Sequence, residues 1–169
     1  MRDNASRFGR LAWLWLSLLV FVVDQASKFW FDNNLSMYQQ IVIIPDYFSW
    51  TLAYNTGAAF SFLAGASGWQ RWLFAVIAIV ISAVLVVWLK RLKPDETWLA
   101  MALALVLGGA LGNLVDRVMF GHVVDFILVH WQHRWYFPAF NVADAAITLG
   151  AILLALDMFK SNKSGETTP

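Results

Sequence analysis

The sequence predicts a membrane α-helical protein of four transmembrane helices, with a small extracytoplasmic β-cradle between helices one and two. Three observations carry that prediction. Of the 169 residues 60% are hydrophobic and only 14% charged, with a mean hydropathy of +0.60, the composition of membrane spans rather than of a soluble core. Four apolar stretches each approach the roughly 20 residues that cross a bilayer core as helix. The segment between the first two is rich in β-branched and aromatic residues, a strand composition. The length suits one integral-membrane domain over residues 1–169, too short for two large units. A net charge of +1 leaves no basic excess to neutralise a phosphate backbone, so nucleic acid is not an expected partner. The absence of cysteine removes disulfides, a thiol nucleophile, thiolate metal sites and a cysteine-borne lipid anchor.

The first span, about 11–31, follows Arg2, Arg7 and Arg10 and has the outline of a secretory signal. Three more spans follow and no convincing A-x-A cleavage site is present, so it reads as a retained helix. The outer segment, about 38–66, contains "IVIIPDYFSWTLAYNTGAAFSF", with turn signals at Pro45-Asp46 and Asn55-Thr56-Gly57. It is expected to form short strands whose aromatics, from Tyr47 to Phe62, suit the headgroup level. An aromatic-belted loop resting on lipid is the alternative. Spans two and three cover about 69–89 and 97–115, and span four about 137–159, leaving a tail of 160–169. Lys90, Arg91 and Lys93 join spans two and three, while Lys160 and Lys163 follow span four. With the N-terminal arginines, these charges place both termini in the cytoplasm. Residues 32–70 contain no Lys or Arg, and the loop after span three carries mainly Arg117 and Arg134; both face outward. Gly108 and Gly112 in "GGALGN" suit close helix packing.

The apolar run after Asp144, from Ala145 to Leu156, is about a dozen residues where about 20 are needed. Span four therefore takes Asp144 in with it, and span one likewise takes in Asp24 and Lys28. At 1.5 Å per residue both aspartates fall roughly 10 Å in from the outer helix ends. "GNLVDRV" brings Asn113, Asp116 and Arg117 to the same level, and "GHVVDF" adds Asp125. An Asp near the bilayer centre costs ~2.5–3.5 kcal/mol, less toward the interface, so such residues usually serve something.

Asp24 has Lys28 four residues on, the helical ion-pair spacing. Asp116 adjoins Arg117, and a structural or a substrate-clamping role fits it equally. Asp125 and Asp144 have no Lys or Arg within four residues. Two such carboxylates brought together repel, so that the pair holds one proton near neutral pH. That supplies an acid and a base in one site. A polar helix-packing network and an ion path remain alternatives on pattern alone. A small polar-lined transporter is the chief rival function, although no inverted repeat and no paired broken spans are present. His130 and His133, with His122 nearby, have a possible metal spacing but no H-E-x-x-H. Ser27 and Lys28 are neighbours on a helix and do not face each other. No metal and no cofactor are expected.

Five blocks, "DQASK", "YNTGAAFS", "GGALGNLVDR", "GHVVDF" and "FNVADAAI", resemble the bacterial lipoprotein signal peptidase (signal peptidase II) family in order and spacing, from Asp24 to about Gly150. The resemblance implies an aspartyl endopeptidase of the inner membrane whose site lies near the periplasmic leaflet. Such an enzyme removes the signal peptide from diacylglyceryl-modified prolipoproteins just before the lipidated cysteine. It works among membrane lipids and is a target of globomycin-like inhibitors. Carried over by position, Asp125 and Asp144 match the catalytic pair. Asp24, Lys28, Asn55, Gly57, Asn113, Asp116, Arg117, Asn141 and Ala143 match substrate-binding or supporting positions. Of these, Asn55 and Arg117 suit grips on the substrate, and Asn113 and Asn141 suit amide props for the acids. The family's outer segment forms a β-cradle and a lid-like stretch. Ala145 stands where many members carry Ser, which removes one hydrogen bond toward Asp144.

Overall fold

A computed structural model of the chain describes residues 9–57 and 68–165, with side chains as far as Phe159. A 3-10 turn, Gly9–Trp13, leads into α1 (Leu14–Asn34), followed by a hairpin of β1 (Gln40–Ile44) and β2 (Phe48–Asn55). Then come α2 (Trp69–Arg91), α3 (Thr97–Met119), β3 (Val123–Trp131), β4 (Trp135–Tyr136) and α4 (Val142–Gly165). All four helices are long and apolar enough to cross a membrane.

Small residues put α3 at the centre of the bundle. It packs against the other three helices, and Ala100, Ala102, Leu103 and Ala104 are wholly buried. A Cβ on Gly108 would meet the Ser17 carbonyl oxygen of α1, and one on Gly109 would strike the Ala143 carbonyl oxygen of α4. Only a missing side chain permits both approaches. The opposite face of α2 leaves Val76, Ile79, Val80 and Val84 more than half exposed, as suits a helix whose outer solvent is lipid.

The sheet is antiparallel in the order β1-β2-β3-β4. It is thus built from two connections, α1 to α2 and α3 to α4, because β3 and β4 arise between α3 and α4 rather than between helices one and two. Beneath it, Phe31 of α1 stacks on Phe126 at 4.3 Å and 12°, with Leu35, Leu52 and Val124 closing the cluster. Trp50 packs against this core, so this aromatic holds the sheet to α1. Residues 58–66, including Phe60 and Phe62, lie outside the described residues.

The fourth helix starts at Val142, five residues later than composition suggests. The cause is backbone pairing: Phe140 N donates to Ile127 O at 3.1 Å, and Phe126 N and Ile127 N donate to Phe140 O at 3.0 and 2.8 Å. Phe140 therefore bridges to the sheet. Asp144 consequently sits in the first turn of α4, about 3 Å from the helix start rather than 10 Å in. Asp24 lies ten residues before the end of α1, about 15 Å along it. The two still share one level, since the Ala143 N–H donates to Asp24 Oδ1 at 2.8 Å.

Candidate active site

Asp125 lies on β3 and is 2% exposed. A β-bulge decides what faces it. Trp50 pairs with Ile127, and unbroken register would set Leu52 opposite Asp125; instead the register shifts and Ala53 takes that place. The extra residue moves small Ala53 and, two residues on, Asn55 onto the Asp125 side of the sheet. Asn55 Nδ2 then donates to Asp125 Oδ2 at 3.3 Å, while Asn55 Oδ1 accepts the Gly57 N–H at 3.0 Å and fixes the turn that follows.

Asp144 is placed by a helix cap. Asn141 Oδ1 accepts the Asp144 N–H at 2.9 Å, an N-cap side chain satisfying the third residue of the helix. The Asn141 amide nitrogen donates to Asp125 Oδ1 at 2.7 Å. One buried side chain thus ties the backbone of one aspartate to the carboxylate of the other. Asn113 Nδ2 donates to Asp144 Oδ1 at 2.7 Å, and the positive end of α4 favours charge there. Burial, and after it the nearby charge of Asp144, pushes the Asp125 carboxyl up to about 7, against the bonds from Asn141 and Asn55 and the charge of Lys28.

Lys28 Nζ bonds Asp24 Oδ2 at 2.8 Å, Asp116 Oδ2 at 2.9 Å and Asn113 Oδ1 at 2.9 Å. The pairing expected within α1 is therefore part of a four-residue cluster reaching α3. Arg117 donates to Asn113 O at 3.3 Å and to Gly57 O at 3.2 Å. Gln25, inside "DQASK" and not among the expected site residues, donates to Asp24 Oδ2, Asp116 Oδ1 and Gly112 O. Its only signal is a polar residue beside Asp24 on a span. A Cβ on Gly112 would strike Asp24 Oδ2, so this glycine makes room for the carboxylate. Ser27 turns away, donating to Asp24 O at 2.8 Å. His130 lies at the far end of β3, 3.3 Å from Ser49 Oγ and stacked on His133. No group of three metal-ligating side chains occurs among the described residues.

A cavity of about 680 Å³ opens at Asp144, while buried Asp125 is not part of its lining. Asn55, Asn113, Arg117 and Asp144 line its polar part, and Phe137, Phe140, Ile147, Leu149 and Ile152 its apolar flank along α4. Such a cleft takes a substrate with a polar backbone and a greasy appendage.

Fold and site together describe a polytopic membrane enzyme. The model of the signal peptidase (SPase) II family matches residues 16–160, and the chain belongs to that family. It is 78% identical over 166 residues to the lipoprotein signal peptidase of Pseudomonas fluorescens, covering 98% of each chain. To that of Pseudomonas putida it is 80% identical over 160 residues, covering 95% of this chain and 94% of the other. Two solved structures, each described as a bacterial membrane enzyme, share the fold. One has a TM-score of 0.83 at 29% identity, over 94% of this chain and 93% of the other. The second has a TM-score of 0.77 at 31% identity, over 88% and 93%.

Proposed function

We propose that Asp125 and Asp144 are the acid–base pair with which this signal peptidase cuts prolipoproteins, just before a diacylglyceryl-modified cysteine. The observation that carries the reading is the Asn141 bridge, whose one amide ties the Asp125 carboxylate to the backbone N–H of Asp144. Asp125, buried and raised to about 7, holds the resting proton. Asp144, at the helix N-terminus and lining the cleft, is the ionised base.

The chemistry follows from those states. Asp144 takes a proton from water as its oxygen attacks the scissile carbonyl, and Asp125 gives its proton to the carbonyl oxygen. Collapse of the tetrahedral intermediate returns that hydroxyl proton to Asp125. Asp144 passes its proton to the amide nitrogen, the C–N bond breaks, and the signal peptide leaves with a new carboxyl end. The modified cysteine becomes the new amino terminus. Arg117 and Asn55 grip the substrate backbone, and the apolar flank of the cleft receives a lipid-bearing segment from the outer leaflet. A globomycin-like cyclic peptide would occupy the same cleft. We place the enzyme in the bacterial inner membrane, with both termini cytoplasmic and the acids toward the periplasmic leaflet.

The test is cleavage of a lipidated precursor by purified protein carrying Asp125→Asn or Asp144→Asn. Each is expected to lose at least the ~10²- to 10⁴-fold that acid–base catalysis contributes. A folded variant that cuts at near-wild-type rate would sink the assignment.

A further inference from the structure

Asp24, Lys28 and Asp116 are at most 3% exposed and take no part in the proton transfers. Burying an ammonium and two carboxylates forfeits their hydration, and apolar residues of similar volume often hold a core as well. Their bonding has a pattern that simple helix packing does not require. Asp24 Oδ1 accepts the Ala143 N–H at 2.8 Å, and Asp116 Oδ2 accepts the Val124 N–H at 3.2 Å. Ala143 immediately precedes Asp144, and Val124 immediately precedes Asp125. Each of these carboxylates therefore holds the backbone one residue before a catalytic one. Lys28 joins the two at 2.8 and 2.9 Å, and the Gln25 amide joins them again at 3.2 and 2.9 Å.

We propose that Lys28, with Asp24 and Asp116, is a gauge that sets the separation of Asp125 and Asp144, which makes Lys28 a positioning residue for the cleavage. The inference rests on the acid-pair reading above. From β3 to α4 the gauge runs through backbone N–H, carboxylate, ammonium, carboxylate and backbone N–H, every link a hydrogen bond or ion pair. The remaining Lys28 bond, to Asn113 Oδ1, orients that amide with its NH₂ toward Asp144. The same ammonium thus sets a distance and aims a donor. An ion cluster that merely tied α1 to α3 would affect melting and leave turnover in the folded protein unchanged.

The experiment measures kcat, KM and the pH profile on a lipidated precursor, with thermal melting, for Lys28→Met, Lys28→Arg, Asp116→Asn and Asp125→Asn. Lys28→Met is expected to lose kcat about 10²-fold, the scale of an ångström-sized misplacement, with KM within about threefold. Its alkaline limb moves to higher pH, because the Lys28 charge that opposes protonation of Asp125 is gone. Lys28→Arg keeps the charge and hence the pH profile, but its larger head alters the spacing, so kcat falls at least tenfold. If Lys28→Met does not fold, Asp116→Asn, which keeps shape and one acceptor oxygen, is expected to show the same loss of kcat at constant KM. A folded Lys28→Met or Asp116→Asn with kcat within twofold of wild type overturns the gauge, as does a fully active Lys28→Arg. Cleavage surviving in Asp125→Asn would instead refute the acid pair itself, so the two failures are distinguishable.

Discussion

Asn141 is wholly buried and uses both ends of one amide. Its oxygen caps α4 and its nitrogen reaches Asp125 Oδ1. Serine can replace the first function but not the second. Asn141→Ser is therefore expected to melt within a few degrees of wild type while cleavage falls at least tenfold. Asn141→Ala also loses the cap and about 1 kcal/mol more. Undiminished turnover in the Ser variant would refute the role given to the bridge. Asp125 yields a pH prediction. Its folded pKa of about 7 lies above the ordinary 3.8, so between those values the folded state binds the extra proton and stability declines as pH rises. The penalty is absent below about 4 and complete above about 7. Thermal midpoints of wild type and Asp125→Asn, taken from pH 5 to 8, should show a shallower decline in the variant. Parallel slopes would mean that Asp125 is not held protonated. In activity, the raised value belongs to the coupled pair and sets an alkaline limb near pH 7 for kcat/KM.

Among the elements, legibility depended on what covers each one. The four helices announce themselves because lipid demands long apolar runs. Strand β3 was hidden: in "VVDFILVHW" both faces are covered from Val123 to Phe126, and beyond it the exposed positions Val129 and Trp131 are themselves apolar, so hydropathy shows no period of two. The start of α4 was hidden for another reason. Phe137–Phe140 is as apolar as the helix, and its pairing with β3, with Pro138 disfavouring helix at Phe137, takes it out. Asp144 was legible as an acid without a basic neighbour. The Asn141 cap is a local signal, an Asn three residues before Asp144, whereas its bond to Asp125 and the bulge beside that residue depend on long-range geometry that no local pattern carries. The α3–α4 contact gives a prediction at this scale. A Cβ on Gly109 meets the carbonyl oxygen of Ala143 and Ile147 Cγ1, one residue from Asp144. Gly109→Ala should cost about 1–3 kcal/mol through overpacking. It should also slow cleavage in the protein that remains folded, by displacing the first turn of α4. Wild-type melting and turnover together would mean that α4 can shift freely and that the first turn is not held by this contact.

At the scale of the whole molecule, the charges and the chemistry lie at opposite ends. The acid pair, the sheet and the cavity gather where α1 and α3 end and where α2 and α4 begin, whereas Lys90, Arg91 and Lys93 lie where α2 passes to α3. The excess of Lys and Arg is the ground on which we propose that its end faces the cytoplasm; on that reading the site opens on the other side of the membrane, where an exported precursor arrives. The chain has no cysteine, which makes the test direct, since a single introduced thiol is the only one present. Asp95→Cys falls in the exposed α2–α3 connection and Arg134→Cys in the exposed turn between β3 and β4. In intact spheroplasts a membrane-impermeant maleimide is expected to label Cys at 134 and to reach Cys at 95 only after lysis. The reverse pattern would invert the protein and leave the acids facing the cytoplasm. Equal labelling before lysis would show that α2 and α3 do not cross the bilayer as a pair. Both variants should still cut precursor, because neither position lines the cleft or touches Lys28, Asp24 or Asp116.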